Sequence, residues 1–307
     1  ENDTKNLSEV NSASNWVTLN LPHSWNSEDA TDNNPGYRRS ASWYKKNLVI
    51  DKIDSDKLYK LYFEGSNITT KVYVNGKEVG EHIGGYIGFS FDISKFINEG
   101  NNEVLVRVDN SYNIEIIPSQ KSDFIIYGGI TRDVWLLSMS KNIIDNIKIN
   151  TPQVSEKSAS LNVIATVKDL QNPSGFNYLA QLSNPKGKIV ATKKGIVSGE
   201  STTISFNDIK NPELWDINNP NLYSVSVSLI ENGIEKDKIE DKVGFRWFEF
   251  KDNGPFFLNG KRVLIRGTHR HEEHAGVGAA MSNEQHRKDM ESIKEMGANF
   301  VRLAHYP

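Results

Sequence analysis

The chain has 307 residues, with 36 basic and 39 acidic side chains, a net charge of −3 and no cysteine. That length calls for two or three domains with sizeable cores, and the near-balance of charge, without a long block of either sign, argues against nucleic acid or a membrane surface as partner. The missing cysteines exclude disulfides and thiolate chemistry, and no run approaches the ~18–20 apolar residues of a membrane helix.

The expected partner is therefore neutral or nearly so. An opening at Glu1 instead of Met fits a leader removed on export to the periplasm or the medium, with a trimmed chain and a cytoplasmic protein as the alternatives.

From about Trp16 to Ser140 the chain is rich in β-branched and aromatic residues broken by turn signals. Leu58–Phe63, Lys71–Val74 before Asn75-Gly76, and Val104–Val108 read as strands. Short strands at this spacing, with no helix of four turns, imply a jelly-roll sandwich over residues 1–140. Thr151-Pro152 interrupts the next pattern. New strands follow at Leu161–Val167, Tyr178–Leu182 and Tyr223–Leu229, with a turn at Asn232-Gly233. About seven such strands over residues 141–246 fit an immunoglobulin-like β-sandwich.

The last stretch, residues 247–307, changes period. Asn259-Gly260 sits between two strand-like runs and predicts a type I′ hairpin. Val263-Leu264-Ile265 reads as a strand buried on both faces and ended by Gly267. Ser282 with Gln285 makes a capping box, Met290, Ile293 and Met296 recur at helical spacing, and Gly297 supplies a stop. Phe300–Leu303 follows almost at once, so strand, helix and strand form a parallel β-α-β unit, the opening of a TIM (β/α)8 barrel. His271 and His305 then lie just past the C-terminal ends of neighbouring parallel strands, the face on which barrel enzymes carry their sites.

Five of the seven histidines, His269, His271, His274, His286 and His305, fall in this stretch. His269-x-His271 has the spacing of metal ligands after a first barrel strand, so a metal-dependent barrel hydrolase is one possibility. Hydrogen bonding to a neutral ligand, or pairing with Glu272 and Glu273, is the other. Those two glutamates adjoin and so point apart; a salt bridge from them to Arg270 or Lys288 is expected.

Three groups of residues resemble glycoside hydrolase family two, and within it the β-galactosidases. Arg266-Gly267-Thr268-His269-Arg270-His271-Glu272 resembles the family's first barrel strand and loop, and Gly297 through Pro307 its Asn-x-x-Arg-x-x-His-Tyr-Pro signature, with Leu303 departing from the usual small residue. Trp16–Trp25, Ser42–Lys46 and Tyr127–Leu136 resemble the sugar-binding domain, and Pro212–Trp215 with Pro220–Tyr223 the immunoglobulin-like domain. The resemblance implies a retaining β-galactosidase acting on a β-galactoside oligosaccharide or glycoconjugate, possible homo-oligomers, and a Mg or Na ion in the whole enzyme. A β-glucuronidase or β-mannosidase of the same architecture is the nearest alternative, and a non-catalytic carbohydrate-binding module the next.

By that resemblance His271 and His305 contact sugar hydroxyls, Asp123 reaches toward the sugar from the sandwich, and Arg302 orients a catalytic carboxylate inside the barrel mouth. Asp123 could instead cap a turn with Ser122, and Arg302 could serve an interior salt bridge. Trp43, Trp135 and Trp215 are expected to fill cores, while Trp25 is the candidate for stacking on a sugar ring. Both catalytic glutamates are implied on later barrel strands, beyond Pro307. No catalytic residue is assigned within the 307, and no hydrolysis is expected from them alone.

Overall fold

The computed structural model describes residues 7–118, 122–141, 143–168, 170 and 175–304. They group into two compact units, 1–139 together with 267–307, and 140–266.

In the first unit a short helix α1 (Leu7–Asn11) precedes β1 (Ala41–Ile50), β2 (Lys57–Phe63), β3 (Thr69–Val74), β4 (Lys77–Ile83), β5 (Phe89–Asp92), β6 (Gly100–Asp109) and β7 (Val134–Ser140). They form the two sheets of a jelly-roll sandwich, β1-β6-β3-β4 and β5-β2-β7. Alternation decides which side chains face inward: Tyr59, Leu61 and Phe63 on β2 and Val72 and Val74 on β3 meet in one core. Asn75 and Gly76 join β3 to β4 with φ of 50° and 77°, as a type I′ turn requires.

The tryptophans depart from expectation. Trp135 is 50% exposed because β7 is an edge strand, and its indole N–H donates to Glu64 Oε1 at 2.9 Å. Trp43 lies half-buried beside Tyr73, and in the other unit Trp215 lies half-buried under the Arg246 guanidinium, 4.9 Å from the ring centroid. Trp25 packs against the core instead of standing free, and a Cβ on Gly128 would come within 2.2 Å of its ring.

The second unit holds β8 (Ile143–Asn150), β9 (Ser158–Lys168), β10 (Phe176–Ser183), β11 (Ile189–Ile196), β12 (Ser201–Lys210), β13 (Tyr223–Glu231) and β14 (Ile234–Val243). These are the two sheets of an immunoglobulin-like sandwich, β12-β9-β8 and β11-β10-β13-β14. Leu161, Val163, Leu182, Phe206, Val225 and Leu229 are among the residues that close its core. A small sheet, β15 (Phe248–Phe250), β16 (Phe256–Leu258) and β17 (Lys261–Val263), follows. Asn259 and Gly260 form its hairpin turn at φ of 52° and 73°. Asn259 also accepts the Trp247 N–H through Oδ1 at 3.1 Å and donates to the Trp215 carbonyl at 3.0 Å, which fastens the hairpin to this sandwich.

The buried strand expected at Val263–Ile265 is displaced. Leu264 is 69% exposed and Ile265 45%, and the first barrel strand is β18 (Gly267–Arg270), which Gly267 begins instead of ending. Its partner β19 (Phe300–Leu303) runs parallel, with Gly267 opposite Phe300 and Arg270 opposite Leu303. Between them α2 (Asn283–Glu295) starts at Ser282 with a complete capping box and ends before Gly297 at φ of 88°. This is the first β-α-β unit of a TIM barrel, in the same compact unit as the jelly roll.

Candidate functional site

Successive side chains of a strand point to opposite faces, and β18 divides its chemistry accordingly. Arg270 lies on the α2 side: its Nε and Nη2 both reach Asp289 Oδ2, at 2.9 and 2.7 Å, and Nη2 donates to His286 Nδ1 at 2.9 Å. His269 and Arg302, directly opposite in the parallel register, share the other face, where both are exposed. His271 follows the last residue of β18. His305 lies outside the described residues.

A cleft of about 460 Å³ opens beside that strand end, within the ~300–1,000 Å³ usual for small-molecule sites. His271, Glu273 and His274 line it from the barrel loop, Asp123 and Phe124 from the sandwich, and Ser27 and Thr31 from the loop that precedes β1. The His271 ring lies 6.2 Å from that of Phe124 and 6.3 Å from that of His269. The structure thus brings Asp123 and His271 to one cavity. Arg302 is placed on the exposed face of β19, not among its lining residues.

Buried amides hold the sandwich side of the cleft. Asn110 Oδ1 accepts the Ser40 N–H at 2.9 Å, while its Nδ2 donates to the carbonyls of Ile126 and Arg38 at 2.9 and 3.2 Å. Asn26 Oδ1 accepts from Gly128 N–H at 2.8 Å and from Ser24 Oγ at 3.0 Å. Both asparagines are fully buried, and each ties the segment that carries Asp123, at Ile126 or Gly128, to the loop before β1. An amide can satisfy donors and acceptors at once, so it can peg an irregular segment where a sheet ladder cannot. On the barrel side Gly278, at φ of 59°, passes so close to Tyr127 that a Cβ would come within 2.5 Å of the ring.

Between the two sides runs an ion-pair chain. Glu272 Oε2 accepts from Arg132 Nη2 at 2.9 Å, and Glu272 Oε1 lies 3.6 Å from Arg270 Nη1. The Arg270 side chain is only 7% exposed and that of Glu272 18%. Burial first, and the Arg270 charge next, hold His286 below the ordinary imidazole value. A guanidinium can only donate, so His286 Nδ1 is an acceptor. Glu272 therefore meets Arg270 as expected, but its second partner is Arg132 of the sandwich and not Lys288.

The sequence did not single out Arg132, Ser27 or Thr31. Arg132 stood in the segment Gly129-Ile130-Thr131-Arg132-Asp133-Val134, where Asp133 next to it offered an ordinary local partner and nothing pointed to Glu272. Among the described residues no three His, Asp or Glu side chains gather as a metal-binding set. Among the described residues, His269 and His271 are therefore not part of a three-ligand metal set.

Residues 13–140 match the sugar-binding domain of glycosyl hydrolases family 2, residues 142–246 a further model described as glycosyl hydrolases family 2, and residues 248–307 the family's TIM barrel domain. Over 99% of its length the chain is 58% identical to a Formosa agariphila protein described as "Putative beta-glucuronidase". It is 34% identical over 88% to a β-galactosidase of Thermoanaerobacter pseudethanolicus. The chain spans 37% of the length of each of these relatives. It also superimposes over all of its length, and 37% of the other chain, on Bacteroides uniformis β-glucuronidase 2 covalently bound to cyclophellitol-6-carboxylate aziridine, with a TM-score of 0.86 and 34% identity. By family match along nearly its whole length, the chain belongs to glycosyl hydrolases family 2.

Proposed function

We propose that this chain forms the sugar-recognition end of the active site in a retaining β-glycosidase whose substrates are β-D-glucuronides. The observation that carries this is the cleft shared by Asp123 and His271, at the C-terminal end of a barrel strand in a family 2 chain. A carboxylate can accept from two adjacent sugar hydroxyls, and a neutral imidazole can donate from one nitrogen and accept on the other. Arg302 extends this set on the neighbouring strand, the guanidinium orienting a carboxylate by paired hydrogen bonds, and His305, outside the described residues, is assigned to it from the sequence motif alone. The acid/base and the nucleophile, two carboxyl groups ~5–5.5 Å apart in a retaining enzyme, come from the remainder of the whole protein.

The 58% identity to the Formosa agariphila protein favours a glucuronide over the galactoside that the residue motifs first suggested. The Thermoanaerobacter relative keeps a β-D-galactoside as the second reading. No Lys or Arg appears among the described residues lining the cleft, so a cation for the glucuronide carboxylate has to come from elsewhere in the whole protein.

Turnover of 4-nitrophenyl β-D-glucuronide and β-D-galactoside by the whole protein tests the choice. The glucuronide is expected to show the higher kcat/KM by about 10⁴-fold, the scale on which a site built to pair a polar substrate group rejects a substrate lacking it. A galactoside preference would reverse the assignment. The 307-residue chain should bind methyl β-D-glucuronide in an NMR titration without hydrolysing it, and lose about tenfold in affinity in Asp123→Asn or His271→Ala.

A further inference from the structure

We infer that Arg132 and Glu272 are positioning residues: by pairing across the seam between the sandwich and the barrel loop they fix His271 relative to Asp123. This rests on the cleft's being the sugar site.

Both chain neighbours of His271 are anchored, on different sides. Arg270 is held by Asp289 and His286 of α2 and, through its carbonyl, accepts the Ala304 N–H at 2.9 Å at the end of β19. Glu272 is held by Arg132. Arg132 in turn has little freedom: its backbone N–H and that of Thr131 both donate to the Gly65 carbonyl, at 3.2 and 3.1 Å. Its side-chain methylenes lie across Gly65, where a Cβ would come within 3.2 Å of Cδ.

Asp123 lies nine residues upstream of Arg132 in the same sandwich segment, the stretch pegged by Asn26 and Asn110. Position is thus passed from Asp123's segment through Arg132 and Glu272 to His271 without either ionic residue being needed at the sugar. Charge-assisted bonds of this kind are directional as well as strong. A site whose supporting residues are loosened by about 1 Å loses affinity even when its contacting groups are intact.

The test uses the 307-residue chain with methyl β-D-glucuronide as probe. Glu272→Gln and Arg132→Ala are each expected to weaken binding about fivefold and to shift the ¹⁵N signals of the His271 ring. Arg132→Lys, which keeps a cation opposite Glu272 and leaves the contact of Glu272 with Arg270 untouched, is expected to hold both readouts to within about twofold. Arg132→Ala added to His271→Ala should cost nothing further.

If Arg132→Ala and Glu272→Gln lower Tm yet leave the His271 signals and the affinity unchanged, while His271→Ala loses binding, the pair is merely structural and the inference fails alone. If Asp123→Asn and His271→Ala also bind like the parent chain, the assignment of the cleft fails and takes this inference with it. Should Arg132→Ala not fold, Glu272→Gln decides: an affinity and His271 signals equal to those of the parent chain overturn the inference.

Discussion

The two compact units differ in what they bury. The immunoglobulin-like unit closes on aliphatic and aromatic side chains such as Leu161, Leu182, Phe206 and Phe245, with Thr202, Ser228 and Asn259 as its buried polar residues among those described. The unit of jelly roll and barrel opening buries Ser24, Asn26, Asn67, Asn102, Asn110 and Arg270, among others. Apolar burial is non-directional and stabilises any arrangement of the right volume, whereas a buried amide or guanidinium tolerates one geometry. The dry unit is organised for stability and the polar one for placing particular segments, those that reach the cleft included.

The comparison breaks or holds under three measurements. Phe206→Ala, in the dry core, is expected to cost about 3–5 kcal/mol in denaturant unfolding while leaving the affinity of folded chain for methyl β-D-glucuronide unchanged. Asn110→Ala should cost less, about 2–4 kcal/mol for buried partners left unpaired, yet it should weaken sugar binding by loosening the segment that carries Asp123. Equal effects of the two on affinity would erase the distinction.

Acidification should give the smallest effect and fall on the polar unit. His23, His82 and His286 all sit below the ordinary 6.5, burial being the leading cause in each. The unfolded chain then binds more protons than the folded one as pH drops through that value. Their contribution is complete above about pH 6.5 and is lost as pH falls below it. A modest decline in Tm between pH 7.5 and 5.5, reduced in His286→Gln, is the expected result; a Tm that rises on acidification would contradict it.

How much of this was legible in the sequence follows from how local each cause is. Alternation along β2, β3 and β9 and the Asn-Gly pairs at 75–76, 232–233 and 259–260 act within a few residues, and the strands and turns they predict are present. The capping box at Ser282 is local too. The first barrel strand was misjudged because Val263-Leu264-Ile265 is more apolar than Gly267–Arg270. The true strand carries His269 and the ion-paired Arg270 in place of apolar side chains.

Pairing of Arg132 with Glu272 could not be seen, since two charges far apart in sequence announce nothing about each other. His271 was placed at a strand end by the β-α-β pattern itself, whereas Asp123 was reached only through motif resemblance. Spacing alone left Asp123 equally a turn cap, and the packing of both sides is what sets them on one cleft.

The Asn259 turn has a consequence for the order of events during synthesis. Residues 140–266, with the hairpin that Asn259 fastens, form a continuous stretch of chain, whereas the other unit is split around them. As the chain emerges, the immunoglobulin-like sandwich can therefore close on itself while the jelly roll still lacks β18, α2 and the glutamate that meets Arg132. Completion of the cleft waits on contacts between residues far apart in sequence, the kind that form slowly. The cleft is thus the last feature this part of the protein completes.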